Sequence, residues 1–244
     1  STATRLKQSP QPVAILKKAE LMKISSSNII NTLTHIPGVN ALTTGPAISK
    51  PFIRGLGYNR VVVVNDGIRQ EGQQWGDEHG IEIDDYSAQR IEVLKGPSSL
   101  MYGSDALAGV INIQTLLPAP EGTIRANVLG EYQTNSMLRG TYADNSGTRN
   151  GFSFNAYGSY KGAADYKNKY DGNVFNSKFY NKNFGGMLGY GGCWGHTYLR
   201  ASNFNRHIGM VEGERDPVTG QFLKPVAGGD EEIATSEDCD KVTP

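Results

Sequence analysis

The 244-residue sequence predicts an α+β domain with a small mixed sheet, followed by a series of antiparallel strands. Up to about residue 117, short β-branched runs accompany one helical pattern. Beyond residue 122, polar and apolar residues alternate in longer runs. Residues 118–122, which contain proline and glycine, are typical of a linker. We therefore expect domains at 1–117 and 123–244.

The charge balance argues against a nucleic-acid partner. Lys plus Arg and Asp plus Glu both number 24, so the formal net charge is zero. A nucleic-acid-binding domain needs a basic surface, which this balance does not provide. Thirty glycines and twelve tyrosines, with a modest hydrophobic content of 38%, favour β structure with many turns.

In the first domain, residues 13–16 predict a short strand. Ser27 or Asn28 is a suitable N-cap for a helix expected over 27–36, whose apolar residues recur at helical spacing. Pro37 and Gly38 are expected to end this helix.

Three further strands are predicted in the first domain. Residues 60–64 form a strongly β-branched run, and Asp66-Gly67 directly after it favours a tight hairpin, since both residues tolerate positive φ. Residues 89–95 and 110–113 predict the other two strands.

Beyond the linker, alternation predicts five strands. Ile124, Val128 and Tyr132 point to one face, whereas Asn127 and Glu131 point to the other. The five strands are expected at roughly 123–133, 136–144, 150–161, 182–190 and 194–205.

Alternation alone leaves two architectures open, a soluble sandwich with one wet face and a membrane barrel. The connections favour the barrel. Residues 145–148 and 191–193 predict tight turns, while the polar segment 162–180 predicts a long loop. Short turns on one side and long loops on the other are typical of outer-membrane barrels.

Residues 51–113 resemble the plug domain of TonB-dependent receptors. The resemblance rests on Phe-Ile-Arg-Gly at 52–55 with Arg-Val-Val-Val-Val-Asn-Asp-Gly at 60–67, on the segment 89–103, and on Ala-Gly-Val-Ile-Asn-Ile at 108–113. A weaker likeness to receptors of Bacteroidetes continues through Asp171-Gly172 and residues 211–215.

This resemblance implies a plug held inside a 22-stranded barrel in the bacterial outer membrane, with a periplasmic N-terminus. The chain would then be an α+β plug followed by the first antiparallel strands of an incomplete transmembrane β-barrel. The implied partners are TonB of the TonB–ExbB–ExbD complex, outer-membrane lipid and a small-molecule ligand, but no nucleic acid.

The resemblance also implies ionic contacts between plug and barrel. Arg54, Arg90, Glu92 and Lys95 are the expected latch residues. Arg54 and Lys95 would pair with barrel acids; Lys95 stands where many family members have arginine, and lysine lacks the bidentate fork. The alternative is that Arg90 and Glu92 pair only within the plug.

A polar segment bracketed by glycines is the expected ligand contact at the plug apex. Its candidate residues are Gln73, Gln74, Trp75, Asp77, Glu78 and His79. Oxygen and imidazole ligands also suit a transition metal, although three adjacent residues rarely chelate one ion. The alternative is a structural loop that packs Trp75 against the barrel wall. No permanently bound cofactor or metal is expected.

The resemblance favours energy-coupled uptake of a scarce complexed nutrient, such as a ferric siderophore, haem, cobalamin or a metal. The alternative within transport is a glycan importer of the SusC type, from which Gly-Pro-Ser-Ser at 96–99 departs. From other classes, the alternatives are a soluble β-rich hydrolase and a surface adhesin. No phosphate-binding loop or His-Glu-x-x-His motif occurs, so no catalytic residue is expected.

Overall fold

The computed structural model describes residues 13–24, 26–74, 79–210, 214–225 and 231–234. These residues form two five-stranded sheets and three two-stranded ones. Among them, no helix combines the length and apolar character needed to cross a membrane.

The N-terminal sheet is mixed and has the strand order β1-β6-β7-β4-β5. All its pairings are antiparallel except that of β4 with β7. Its strands are β1 (Val13–Lys17), β4 (Val61–Asn65), β5 (Ile68–Gln70), β6 (Arg90–Lys95) and β7 (Gly109–Gln114). A separate hairpin pairs β2 (Val39–Gly45) with β3 (Ile48–Ile53). The strands predicted at 13–16, 60–64, 89–95 and 110–113 are confirmed.

The hairpin at Asp66-Gly67 is also confirmed. Both residues have positive φ, 48° and 89°, as a two-residue turn of type I′ requires. The Asp66 carboxylate accepts hydrogen bonds from the backbone N–H groups of Thr115 at 2.9 Å and Leu116 at 3.4 Å. The turn is therefore tied to the end of β7.

The predicted helix over 27–36 is too long. The structure has α1 (Lys18–Leu21) and, in the predicted region, only α2 (Ile29–Leu33). Asn28 is the N-cap, and its side chain accepts from the N–H groups of Ile30 and Asn31 at 3.1 and 3.0 Å. Thr34 Oγ1 donates to the Asn31 carbonyl at 2.8 Å, and such side-chain bonds compete with the helical ladder. The chain then turns towards β2.

The C-terminal sheet is antiparallel, with the order β14-β13-β10-β9-β8. Its strands are β8 (Thr123–Gln133), β9 (Leu138–Arg149), β10 (Phe152–Ala163), β13 (Phe179–Gly192) and β14 (Gly195–Ile208). All five predicted strands are present. The tight turn predicted at 145–148 is wrong, because β9 continues to Arg149. The turn lies at Asn150-Gly151, where φ values of 52° and 79° give the primed geometry that fits strand twist.

The connections of this sheet differ in length at its two ends. Two-residue turns at 150–151 and 193–194 lie at one end. The other end carries the turn at 134–137 and the loop at 164–178, which includes β11 (Lys167–Asn168) and β12 (Gly172–Asn173). Beyond β14, Leu223–Pro225 (β15) pairs with Glu231–Ile233 (β16). We call the ends the short-turn end and the long-loop end.

The C-terminal sheet is inverted relative to a water-soluble protein. Its apolar face is exposed: Val128 is 85% exposed and Phe184 is 63% exposed. Its polar face is buried against the N-terminal domain, as the burial of Asp144, Asn155 and Lys161 shows. In water an exposed apolar face of this size is unfavourable, whereas a lipid-facing surface has this pattern. The predicted fold class, an α+β domain followed by antiparallel strands of an open sheet, is confirmed.

Candidate functional site

A buried lysine of the C-terminal sheet holds the N-terminal domain. Lys161 of β10 is 2% exposed, and its Nζ lies 2.5 Å from Oδ2 of Asp85. The same Nζ donates to the Ser26 carbonyl at 3.2 Å and lies 4.4 Å from the centre of the Tyr86 ring. A buried ammonium is stable only when such partners replace its hydration. Lys161 thus fastens two separate segments of the N-terminal domain to one strand.

A second ion pair also joins the two domains, and here the N-terminal domain supplies the lysine and the C-terminal sheet supplies the carboxylate. Lys18 Nζ, at the start of α1, lies 2.6 Å from Oδ2 of Asp144 on β9. The Asp144 carboxylate also accepts from the Tyr142 hydroxyl at 2.7 Å and from Asn127 Nδ2 at 2.8 Å. Two donors on the C-terminal sheet therefore hold the carboxylate in the orientation in which it meets Lys18.

The tip of the β2–β3 hairpin contacts the C-terminal sheet at the long-loop end. Arg206 of β14 donates from Nη1 to the Ala47 carbonyl at 2.8 Å. Ala47 is also buried in a small apolar cluster with Leu138, Ala163 and Phe179. The hairpin tip is therefore held by one polar and one apolar contact.

Tyr86 completes the contact between the domains. Its hydroxyl donates to Glu131 of β8 at 2.5 Å, and Gln133 Nε2 donates to the other Glu131 oxygen at 2.7 Å. Burial, followed by the hydrogen bond to Glu131, raises the pKa of Tyr86, so the phenol stays protonated and remains a donor. We call the following residues the interface cluster: Lys18, Asp85, Tyr86, Glu131, Asp144, Lys161 and Arg206.

Asp84 lies beside this cluster and is buried. Burial, and then the neighbouring Asp85 charge, raise its pKa from 3.8 to about 6. Its Oδ2 has no hydrogen-bond partner among the described residues. The buried site favours the protonated form of Asp84. The contribution of Asp84 to docking of the two domains is therefore complete below pH 3.8 and is lost as the pH rises through about 6 and the carboxyl ionises.

We expect Asp84→Asn to strengthen docking of the domains at pH 7.5 by up to about 3 kcal/mol, since a shift of one pKa unit corresponds to ~1.4 kcal/mol. At pH 4 the change should be near zero. Hydrogen exchange of residues 79–88 in the full-length protein measures this difference. Asp216→Asn, in the turn at 216–219 and therefore far from Asp84 in the sequence and outside the interface cluster, is the control. An equal effect of Asp84→Asn at both pH values would contradict the expectation.

The four predicted latch residues lie elsewhere in the N-terminal domain. Arg90 and Glu92 form an ion pair of 2.5 Å along β6. Lys95 Nζ donates to the Pro37 carbonyl, and burial, then the nearby Arg54 charge, lower the pKa of Lys95. Arg54 is exposed and has a positive φ of 51°. Among the described residues, the ion pairs to the C-terminal sheet are made instead by Lys18 and Asp85.

A polar pocket of about 390 Å³ opens at the long-loop end. Its floor belongs to the N-terminal domain, at the start of α2 and the β2–β3 tip, and its wall to the β8–β9 turn and the following loop. The lining residues are Ser27, Asn31, Thr43, Thr44, Gly45, Pro46, Gln133, Asn135, Ser136 and Tyr166. Hydroxyl and amide groups dominate the lining, and they can both donate and accept hydrogen bonds.

The structure describes only part of the predicted apex segment. Trp75, Asp77 and Glu78 lie outside the described residues, and only the backbone of Gln73 is described. Gln74 is half-buried and His79 is exposed. Among the described residues, no group of three His, Cys, Asp or Glu side chains could hold a metal ion.

The predicted apex segment returns close to the pocket. Gly80 passes the backbone of Ser49, which a Cβ at Gly80 would approach to 3.4 Å. The Ser49 hydroxyl is 2.9 Å from Thr43 Oγ1 and 3.3 Å from Asn31 Oδ1, and both of these residues line the pocket. One residue therefore separates Gly80 from the pocket wall.

Sequence reasoning missed the interface cluster. Alternation places Lys161 on the polar face of its strand but gives no sign of its partner Asp85, which lies 76 residues away. The available signal was the charge on the polar face itself. A lysine or aspartate on a strand face that becomes buried needs a partner of opposite charge. Alternation shows the face but does not say where that partner lies.

The two domains together define a plug docked against barrel strands. Residues 5–110 match the family described as TonB-dependent Receptor Plug Domain. The Vitamin B12 transporter BtuB of Vibrio vulnificus is 32% identical over 130 residues, which is 50% of this chain and 21% of that protein. The Iron-regulated outer membrane virulence protein of Vibrio cholerae is 33% identical over 117 residues, or 45% of this chain and 18% of that protein.

The solved structures agree at the level of fold. The siderophore receptor PirA from Acinetobacter baumannii superposes with a TM-score of 0.65 at 23% identity, covering 83% of this chain and 32% of that one. The N-terminal domain, residues 5–110, is therefore a TonB-dependent receptor plug domain, and the chain as a whole is similar in fold to a solved siderophore receptor. The chain spans about a fifth of the length of the curated relatives that it matches. We refer below to the plug and the barrel strands.

Proposed function

We propose that this chain is the N-terminal part of an outer-membrane receptor that imports a scarce complexed nutrient with energy delivered by TonB of the TonB–ExbB–ExbD complex. The observation that carries the proposal is the polar interface between plug and barrel strands. Its ion pairs include Lys161–Asp85 and Lys18–Asp144, both at hydrogen-bonding distance. The buried members of the main apolar cluster of the plug lie within residues 21–113. Displacing a plug held in this way breaks these polar contacts and the small apolar cluster that Ala47 forms with the barrel strands, but it leaves the main apolar cluster of the plug intact.

We propose a metal complex as the cargo, in the class of ferric siderophores, haem and cobalamin. The names of the relatives support this class, since they include a vitamin B12 transporter, an iron-regulated protein and a siderophore receptor. Uptake of radiolabelled ferric siderophores, haem and cobalamin by cells with and without the full-length gene tests the proposal. Uptake that is unchanged by deletion of TonB would contradict the energy coupling.

We propose that the polar pocket at the long-loop end contacts the cargo, and that the candidate residues Gln73, Gln74, Trp75, Asp77, Glu78 and His79 take part in binding it. The position of Gly80 beside Ser49 supports this arrangement. We also propose that Arg54 and Lys95 pair with acids on further strands of the barrel. Both are close to Gly38, where a Cβ would lie 3.9 Å from each side chain.

Filling the pocket should block the cargo. We expect Thr44→Trp to weaken cargo binding at least about tenfold, which corresponds to ~1.4 kcal/mol, because the indole occupies space that a ligand needs. Thr44 is exposed and lines the pocket. Binding to whole cells at 4 °C separates this effect from transport. The matched control is Thr197→Trp, at an exposed position of β14 near the short-turn end. Equal binding by both variants would exclude this pocket as the ligand site.

We also propose the domain boundaries 1–117 for the plug, 118–122 for the linker and 123–244 for the barrel portion. The composition of the main apolar cluster supports them, because each of its members lies between Ala14 and Ile113. We expect residues 1–117 to fold alone and to unfold cooperatively in urea. A dispersed amide NMR spectrum is the expected readout, and a collapsed spectrum would argue against an independent plug.

A further inference from the structure

A second pocket, of about 430 Å³, lies in the loops beyond the barrel strands at the long-loop end. The loop at 164–178 forms one side of it, and the described parts of the segment 214–234 form the other. Among the described residues, none from the plug lines this pocket, and none lines both it and the polar pocket proposed for the cargo. It is therefore a separate site, which we call the loop pocket.

One ion pair joins the two sides of the loop pocket. Arg215 Nη1 lies 2.6 Å from Oδ1 of Asp171 and also donates to the Gly220 carbonyl at 2.9 Å. Cζ of Arg215 lies 3.9 Å from the centre of the ring of Phe222, which is itself buried. Asn168 Nδ2 donates to the other oxygen of Asp171 at 2.7 Å. The guanidinium and the carboxylate are thus held in place without a ligand, which lowers the entropy cost of binding one.

The loop pocket keeps hydrogen-bonding groups for a ligand. Both hydrogen bonds of Arg215 to described residues come from Nη1, so Nε and Nη2 remain as donors. The side-chain amide of Gln221 and the hydroxyl of Tyr170 have no hydrogen-bond partner among the described residues, and both residues line the pocket. A guanidinium only donates, whereas an amide and a hydroxyl both donate and accept. The ligand must therefore be polar and carry groups of both kinds.

The charges of the loop pocket favour an uncharged ligand. Asp171 and Arg215 are the two charged residues among those that line it, and their formal charges cancel. The pocket volume also lies in the range of about 300–1,000 Å³ that is usual for small-molecule sites.

Aromatic rings complete the lining of the loop pocket. Tyr170 is 94% exposed, and Phe175 and Phe222 also line the pocket. An aromatic ring provides an apolar surface, and a tyrosine adds a polar hydroxyl at its edge. A neutral hexose has the matching chemistry, because its ring combines an apolar C–H face with hydroxyl groups that donate and accept.

We propose that the loop pocket binds a neutral hexose unit of a glycan outside the cell and so holds the receptor at that glycan. Arg215 and Gln221 bind the ring hydroxyls, and Tyr170 packs against the C–H face. Asp171 is a positioning residue that orients Arg215. The extracellular placement rests on the proposed function, since longer loops of outer-membrane barrels lie outside the cell. The sugar chemistry depends neither on the cargo nor on TonB.

The test uses the full-length receptor, purified in detergent, on an array of defined oligosaccharides. The array carries neutral oligomers of glucose, galactose and mannose, together with the same oligomers bearing sialic or uronic acid. We expect the receptor to bind at least one neutral oligomer, and Tyr170→Ala and Gln221→Ala each to weaken this binding at least about tenfold. The matched control is Lys169→Ala, at an exposed position of the same loop that does not line the pocket.

The urea midpoint of each variant shows that it is folded. If Gln221→Ala does not fold, Tyr170→Phe and Tyr170→Ala are compared, and the phenylalanine variant should bind more tightly because it keeps the ring. No binding to any neutral oligomer, binding to acidic oligosaccharides alone, or equal binding by the unmodified receptor and the variants would overturn the proposal.

Two further array panels distinguish the source of the sugar. One carries fragments of bacterial surface polysaccharides, and the other carries the glycans of host glycoproteins. Binding to either panel that Tyr170→Ala abolishes supports the proposal and identifies the source. Cargo uptake by cells is measured separately, so a wrong cargo or TonB-independent uptake leaves the array result intact.

Discussion

Lys161→Met is expected to release the plug from the barrel strands. The substitution leaves Asp85 without its cation at a buried contact and removes the donor to the Ser26 carbonyl. Breaking a buried ion pair by removing one partner costs about 3–5 kcal/mol, because the remaining charge stays desolvated. We expect faster hydrogen exchange at residues 79–88 of the full-length receptor and a lower urea concentration for plug release.

The effect of Lys161→Met should also depend on pH and on whether Asp85 still carries a charge. Adding Asp85→Asn removes the unpaired charge, so the double variant should be more stable than the sum of the two single changes predicts. The destabilisation should be greater at pH 7.5 than at pH 4.5, since the pKa of Asp84 is about 6 and its ionised form also faces Lys161. Lys167→Met, at an exposed loop lysine, is the charge-matched control. Unchanged exchange in Lys161→Met would show that Lys161 does not hold the plug.

The second large effect is expected on the outward face of the barrel strands. Val128 is 85% exposed, and Val128→Lys would be neutral if this face met water. Because we place it in lipid near the middle of the apolar band, the lysine should cost about 2–4 kcal/mol. The expected result is a lower yield of folded full-length receptor in the outer membrane and a lower urea midpoint for refolding into bilayers.

Val218 provides a matched control for this experiment. It is 89% exposed in the turn that contains Asp216 and Thr219, beyond β14. Val218→Lys introduces the same charge at the same exposure but in water, and we expect a change below about 0.5 kcal/mol. Equal stability of the two lysine variants would mean that the exposed apolar face does not meet lipid.

These two predictions have one structural origin, the inversion of the C-terminal sheet. In a soluble sandwich the apolar face of each strand is buried in a core, and the polar face is hydrated. Here the polar face is buried on the plug, where Lys161, Asp144 and Arg206 find partners. A plug that meets the barrel through polar groups keeps its own apolar core, so docking and folding of the plug are separable.

Local features of the sequence were sufficient to predict the strands of the two five-stranded sheets other than β5, and the hairpin at Asp66-Gly67. The valine run at 61–64 is a buried strand, and Asp66-Gly67 is a two-residue hairpin turn. The two errors are also local. The helix stops at Leu33 because side chains of the next residues bond to its last turn, and β9 passes the predicted turn to end at Asn150-Gly151. Residue propensities predict roughly where a helix or strand lies, whereas the hydrogen bonds at its end determine the residue at which it stops.

The sequence by itself determined the alternation of apolar and polar faces, the hairpin at Asp66-Gly67 and the family motifs at 52–55 and 108–113. Only the tertiary structure decided which face of the C-terminal sheet is buried and which residues join plug to barrel. Alternation has the same period whether the apolar side meets a core or lipid. The ion pairs join residues 76 and 126 positions apart, a separation that no local pattern encodes.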